Sequence, residues 1–191
     1  MRSDWFLHNW MYAGFLAGLF LLAIAPVFAA AVGLPLLFVY LQLPVYMLHQ
    51  LEEHYDDRFR KYVNDLVAGG REALSTPAVV VINVVGVWVV ILIVLYLARF
   101  VGLGLGLIAI YLTLVNALVH IVQAAVQRRY NPGLVTAVVL FLPVGIWGLM
   151  VVSATPGVTT TDHVVGLAGA ILINAAIIAY LKQRAAALSA A

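Results

Sequence analysis

Positions 49 to 54 read His-Gln-Leu-Glu-Glu-His, so four ionisable side chains close an apolar run that begins near Gly33. On an α-helix, at about 100° per residue, Glu52 and Glu53 fall on either side of His49. The imidazole and both carboxylates then project within an arc of roughly 100°. Charges at the edge of hydrocarbon are costly unless each is paired, so such a cluster marks a functional site by default. Imidazole nitrogen with carboxylate oxygen is the ligand set of catalytic zinc bound by two His and one Glu, and it also suits non-haem iron. Two adjacent carboxylates could instead work without metal as an acid and a base, each pushing the other's proton affinity away from its own.

The elements that must carry these groups are written in the composition. Of 191 residues, 65% are hydrophobic and 9% charged, and the mean hydropathy is +1.07. Those values place the chain among integral membrane proteins. With no cysteine there is no disulfide, thiolate metal site or Cys nucleophile, and nothing suggests a nucleic-acid partner. A bilayer is crossed by about 20 apolar residues, and six such runs occur, at about 7–30, 34–54, 77–100, 103–126, 134–153 and 163–182. The first is longer than the apolar core of a signal peptide and reads as a retained helix. The fold expected is all-α, a polytopic transmembrane bundle of six helices forming a single domain over 1–191. Between the second and third runs, Tyr55, Phe59, Tyr62, Val63 and Leu66 recur at helical spacing among charged residues, which predicts an amphipathic helix along the membrane interface.

An even number of spans puts both termini on one side. Arg2, Arg58, Arg60, Lys61, Arg71, Arg128, Arg129, Lys182 and Arg184 then share that side and Arg99 alone lies on the other, which assigns the shared side to the cytoplasm. This topology brings the exit of the second helix and the exit of the fourth to the same depth. His120 precedes Arg128 by eight residues and His49 precedes Arg58 by nine, each roughly 12–14 Å of helix. Gln42, Tyr46, His49, Glu52, Glu53 and Asp56 line one face of the second helix; Thr113, Asn116, His120, Gln123 and Gln127 line one face of the fourth. The two stripes are expected to face each other across a polar cavity, with Asn83 and His8 reaching the same layer.

His49-Gln50-Leu51-Glu52-Glu53 resembles the name-giving motif of the HXXEE domain proteins, a mainly bacterial group of membrane proteins. The family's NxxxH motif is matched by Asn116-Ala117-Leu118-Val119-His120 and its YxPG motif by Tyr130-Asn131-Pro132-Gly133, in family order. The resemblance implies an integral membrane domain, in a bacterial inner membrane, whose three motifs cooperate. It leaves the reaction open.

The function expected is a membrane-embedded enzyme that uses zinc or iron and acts on a lipid or lipophilic substrate from the cytoplasmic leaflet. His49, His120 and one of Glu52 and Glu53 are the candidate metal ligands, with the other glutamate as general base. Asn116 would orient a ligand or donate to an oxyanion, and Asn83, Gln123 and Tyr130 would support the site. Two other classes use the same residues: a metal-free Glu/His acid–base enzyme, and an ion or proton transporter or lipid-binding protein. Against transport, polar residues concentrate in one leaflet. The remaining histidines have plainer readings. His54 lies about 140° from His49 on a helix and should face the interface, His8 sits in an aromatic belt, and His163 follows Asp162, read as an N-cap. Asn131-Pro132-Gly133 should make the tight turn into the fifth span.

Overall fold

A computed structural model describes residues 2–190, with side chains from residue 5 onward. Met1 and the charged side chain of Arg2, counted above with the cytoplasmic charges, lie outside that description. The described chain is all-helical, 88% helix with short turns between, and has no strand among the described residues. The long helix α1 (Arg2–Val32) stops at Gly33, whose φ of 79° only glycine adopts without strain. Pro35 then opens α2 (Leu34–His54), where its missing N–H is no loss.

The amphipathic stretch forms α3 (Arg58–Ala68), starting three residues later than its periodicity suggests. Asp56 and Asp57 both take left-handed backbone conformations and break the helix there, a geometry that Asp tolerates better than most residues. Gly69, also left-handed, ends it. Ser75 caps α4 (Thr76–Phe100) by accepting from the Ala78 amide, and residues 81–89 of that helix are wound as a π-helix. Next come α5 (Leu103–Gln127), α6 (Leu134–Ser153) and α7 (Thr160–Ala190). Residues 137–141 of α6 are again π-helical. Pro143 supplies the cause, since it has no N–H for the Val139 carbonyl four residues earlier. At the start of α7 the cap is Thr159 rather than Asp162: Asp162 Oδ2 accepts from the Thr159 amide and hydroxyl, and Thr159 Oγ1 accepts from the Asp162 amide. The pair is a reciprocal capping box, with the acid in its third position.

Among the described residues, six segments are long and apolar enough to cross a membrane. Their up-and-down order brings both ends of the chain to one end of the bundle. There, Arg71 donates to the Leu188 carbonyl at 2.6 Å and to Ser189 Oγ at 3.0 Å, and the Trp10 ring packs 4.9 Å from that of His54. Helices α1 and α2 approach closely because Gly18 leaves room for Met47, Leu48 and the Pro44 carbonyl. Between α2, α4, α5 and α6 lies a core of Leu43, Tyr46, Val87, Ile91, Leu112 and Phe141. Directly above it, at the end shared by the termini, sit His49 and His120.

Candidate metal centre

His49 projects from the last turns of α2 and is fully buried, and His120 projects from α5 and is 3% exposed. Their ring centroids are 5.0 Å apart at 74°, so the meeting anticipated from matched depth occurs. Glu53, one helical turn after His49, completes a buried group. Its Oε2 lies 3.6 Å from His49 Nε2 and its Oε1 3.6 Å from His120 Nε2. One donor atom from each residue falls within 4.8 Å of the other two, an arrangement that could hold a metal ion. Phe141, 4.2 Å from the His49 ring, and Tyr46 wall the group on the membrane side.

Both imidazoles are oriented by the chain that follows α5. Asn131 donates from Nδ2 to the His120 carbonyl at 2.9 Å, which turns its Oδ1 toward His120 Nδ1 at 2.7 Å. An amide oxygen only accepts, so Nδ1 of His120 carries the proton. Thr136 does the same for His49. Its hydroxyl donates to Glu52 Oε2 at 2.5 Å and therefore accepts from His49 Nδ1 at 2.8 Å. With each Nδ1 held in this way, both Nε2 atoms face Glu53, and His49 Nε2 meets no hydrogen-bond partner. Two imidazole Nε2 atoms and a carboxylate facing one another could hold a cation, and holding Nδ1–H with a protein acceptor is how metal-binding histidines are commonly oriented.

Glu52 does not join this group. It accepts from the Val135 and Thr136 amides at 3.1 and 2.7 Å, from the Thr136 hydroxyl, and from the Tyr130 hydroxyl at 2.8 Å. The carboxylate thus caps the N-terminus of α6 from another helix, satisfying amides that helix geometry leaves open. Burial first, and then the bond it donates to Glu52, push the Tyr130 hydroxyl up to about 12.

His54 contradicts its expected place at the interface. It is 4% exposed, packed between Trp10 and Phe59, with Nε2 3.2 Å from Glu53 Oε2. The physical reason is the break at Asp56 and Asp57, which folds α3 back over the end of α2 and covers a residue that a straight helix would leave exposed. His8 lines a separate cavity of about 260 Å³ together with His54, Asp56 and Asp57.

The two polar stripes separate by depth. Gln42 and Thr113 spend their donors on carbonyls of their own helices, Phe38 and Ala109. Asn116 donates to the Tyr46 hydroxyl at 3.0 Å, and Tyr46 in turn donates to the Leu112 carbonyl. Asn83 accepts from Gln50 and donates to the Val79 carbonyl. Asn83, Asn116 and Gln123 nonetheless share one cavity with Glu53 and His120, of about 320 Å³, bounded by α2, α3, α4, α5 and α7. That cavity gives the centre an apolar approach.

Three contributors escape a reading by residue type: Asn131, Thr136 and Gly133. Gly133 has φ 98°, and a Cβ there would come within 2.7 Å of His120 Cε1 and 2.8 Å of His49 Cε1. Its backbone therefore lies directly on both rings. The signal was present in Tyr130-Asn131-Pro132-Gly133, which turns the chain and also roofs the site.

A family model described as "Protein of unknown function with HXXEE motif" matches residues 40–148, and the chain belongs to that family. The match takes in His49, Glu53, His120 and the turn that orients them. Neither the curated proteins nor the solved structures include a match to the chain.

Proposed function

We propose that this HXXEE-family protein is a membrane-embedded metalloenzyme in which His49, Glu53 and His120 hold a zinc or iron ion, acting on a lipophilic substrate that enters from the cytoplasmic leaflet. The observation that carries the reading is the convergence of both Nε2 atoms on Glu53 while both Nδ1 atoms are engaged elsewhere. Tetrahedral ligation at about 2.0–2.1 Å spaces ligand atoms about 3.3–3.4 Å apart; each Nε2 lies 3.6 Å from a different Glu53 oxygen, and one ligand atom from each residue falls within 4.8 Å of the other two, so a small closure of the group would seat an ion. Two His and one carboxylate leave a further position open, where the ion would polarise a carbonyl or activate water.

The protein's own groups have separable tasks. Asn131 and Thr136 orient the imidazoles, and Glu52 holds Thr136 while capping α6. Asn116, with one amide N–H committed to Tyr46, has the other to offer a substrate oxygen in the cavity. Glu53, which faces both histidines, fits the ligand role, and the general-base role first given to one of the glutamates is left to whichever of its oxygens stays off the ion. The asymmetric distribution of Lys and Arg supports cytoplasmic access.

The test is elemental analysis of protein purified in detergent without added metal, beside Glu53→Gln and His120→Ala. The expected result is about one zinc or iron per chain, lost in both variants. Folded, metal-free wild-type protein that takes up neither ion would overturn the reading, and it would favour acid–base chemistry by Glu53 and the histidines alone.

A further inference from the structure

The cavity that meets the proposed centre is graded along its length. Its deep end is walled by Val87, Leu112 and Ile173, with the Tyr46 hydroxyl and Asn174 amide there donating to the Leu112 and Ala170 carbonyls; its middle holds Glu53, His120 and Asn116, and its outer end carries Gln123 and Lys182. On α5 the distance from Leu112 to His120 is eight residues, about 12 Å, and from His120 to Gln123 three residues, about 4–5 Å. On α7 the wall from Ile173 to Lys182 covers nine residues, about 14 Å. A molecule in this space meets hydrocarbon walls well past the centre, polar groups beside it and an ammonium at its mouth. The apolar face of α3, with Phe59, Val63 and Leu66, closes it toward the interface.

From this grading we infer that the ligand of the site is a single-chain amphiphile: an acyl chain in the deep end, a carbonyl-type linkage beside Glu53 and His120, and a small anionic head paired with Lys182. The inference rests on the proposed metal site only for the place of the linkage. Volume favours one chain over two, because about 320 Å³ lies at the low end of small-molecule pockets. Charge favours an anion, since Lys182 and Glu53 are the charged residues of the lining and Glu53 faces the histidines. A long side chain at the mouth can follow the head group as it enters.

N-lauroylglycine and its neutral methyl ester serve as probes, with binding measured by native mass spectrometry from a non-ionic detergent and metal content read on the same samples. The wild type is expected to prefer the anion, and Lys182→Ala to weaken it about three- to tenfold while leaving the ester unchanged. Ile173→Trp, which fills the deep end, should remove both. Ile177→Phe repeats that test with a smaller intrusion, and Lys182→Ala alters only an exposed side chain, so a folding failure of the first variant leaves the question decided. Equal affinity for the two probes, or indifference to Lys182→Ala and to cavity filling, would overturn the inference. Metal-free protein that still discriminates the probes would sink the metalloenzyme and spare the amphiphile site, whereas metal-replete protein that binds neither would do the reverse.

Discussion

In both histidines Nδ1 is held by the chain after α5 while Nε2 faces Glu53, and the proposed metal site depends on that division. Removing the Nδ1 acceptor frees the ring to rotate or to change tautomer without removing the ligand atom. Asn131→Leu and Thr136→Val are therefore expected to lower metal affinity about 10–100-fold, measured by competition with a chromogenic chelator, while Thr136→Ser retains affinity. Equal affinity in all three would show that the rings need no such orientation. Tyr130 offers a pH test. Its pKa is raised above its unfolded value by burial and by donation to Glu52, up to about 12, so the bond contributes fully below about pH 10 and is lost as pH climbs through 12. Ultraviolet difference titration of the protein against Tyr130→Phe should isolate one late phenol, and Glu52→Gln should bring it to lower pH. The i, i+4 relation of His49 and Glu53 and the depth of His120 were legible in the sequence. The destination of Glu52 was not, because helix angle places it near His49 while its partners arrive from residues 130–136, more than 75 positions away.

Among the elements, the turn between α5 and α6 carries information out of proportion to its length. Arg128 and Gly133 both adopt left-handed conformations at its two ends, and the residues between them reach back to His120 and Glu52. Gly133→Ala meets both a backbone cost of about 1 kcal/mol and two imidazole carbons under 3 Å. Gly69→Ala, at φ 59° with open space around its Cβ, meets the first cost alone. The expected outcome is a larger fall in melting temperature for Gly133→Ala, with loss of bound metal that Gly69→Ala does not show; equal effects would mean that the turn can withdraw from the rings. Span number followed from apolar length, and Gly and Pro punctuation located most inner ends, whereas the first helix begins at Arg2 rather than 7 and the last runs Thr160–Ala190 rather than 163–182, because apolar length marks the membrane crossing and not where the helix stops. The π-wound stretches and the fold-back of α3 were hidden, because both depend on neighbouring helices that decide which carbonyls stay satisfied and which backbone strain is tolerated.

For the molecule as a whole, the site, both chain ends and most positive charges share one end of the bundle, which makes topology a functional statement. If that end faces the cytoplasm, the cavity beside the proposed centre opens on the inner leaflet. Without a native cysteine, single introduced thiols report their side of the membrane with no background. Lys61→Cys on α3 and Ala186→Cys near the end of α7 are exposed at the site end, and Ala154→Cys lies exposed in the turn at the other end. In intact cells an impermeant maleimide should label Ala154→Cys alone, and permeabilisation should make the other two react. Labelling of Lys61→Cys and Ala186→Cys in intact cells, with Ala154→Cys protected, would invert the protein and turn the centre toward the outer leaflet. Labelling of only one of that pair would be more damaging, because Arg71 binds the Leu188 carbonyl and so ties the α3 end to the α7 end. A bundle in which those two thiols face opposite sides could not retain that contact, and the arrangement of helices that brings His49 to His120 would fall with it.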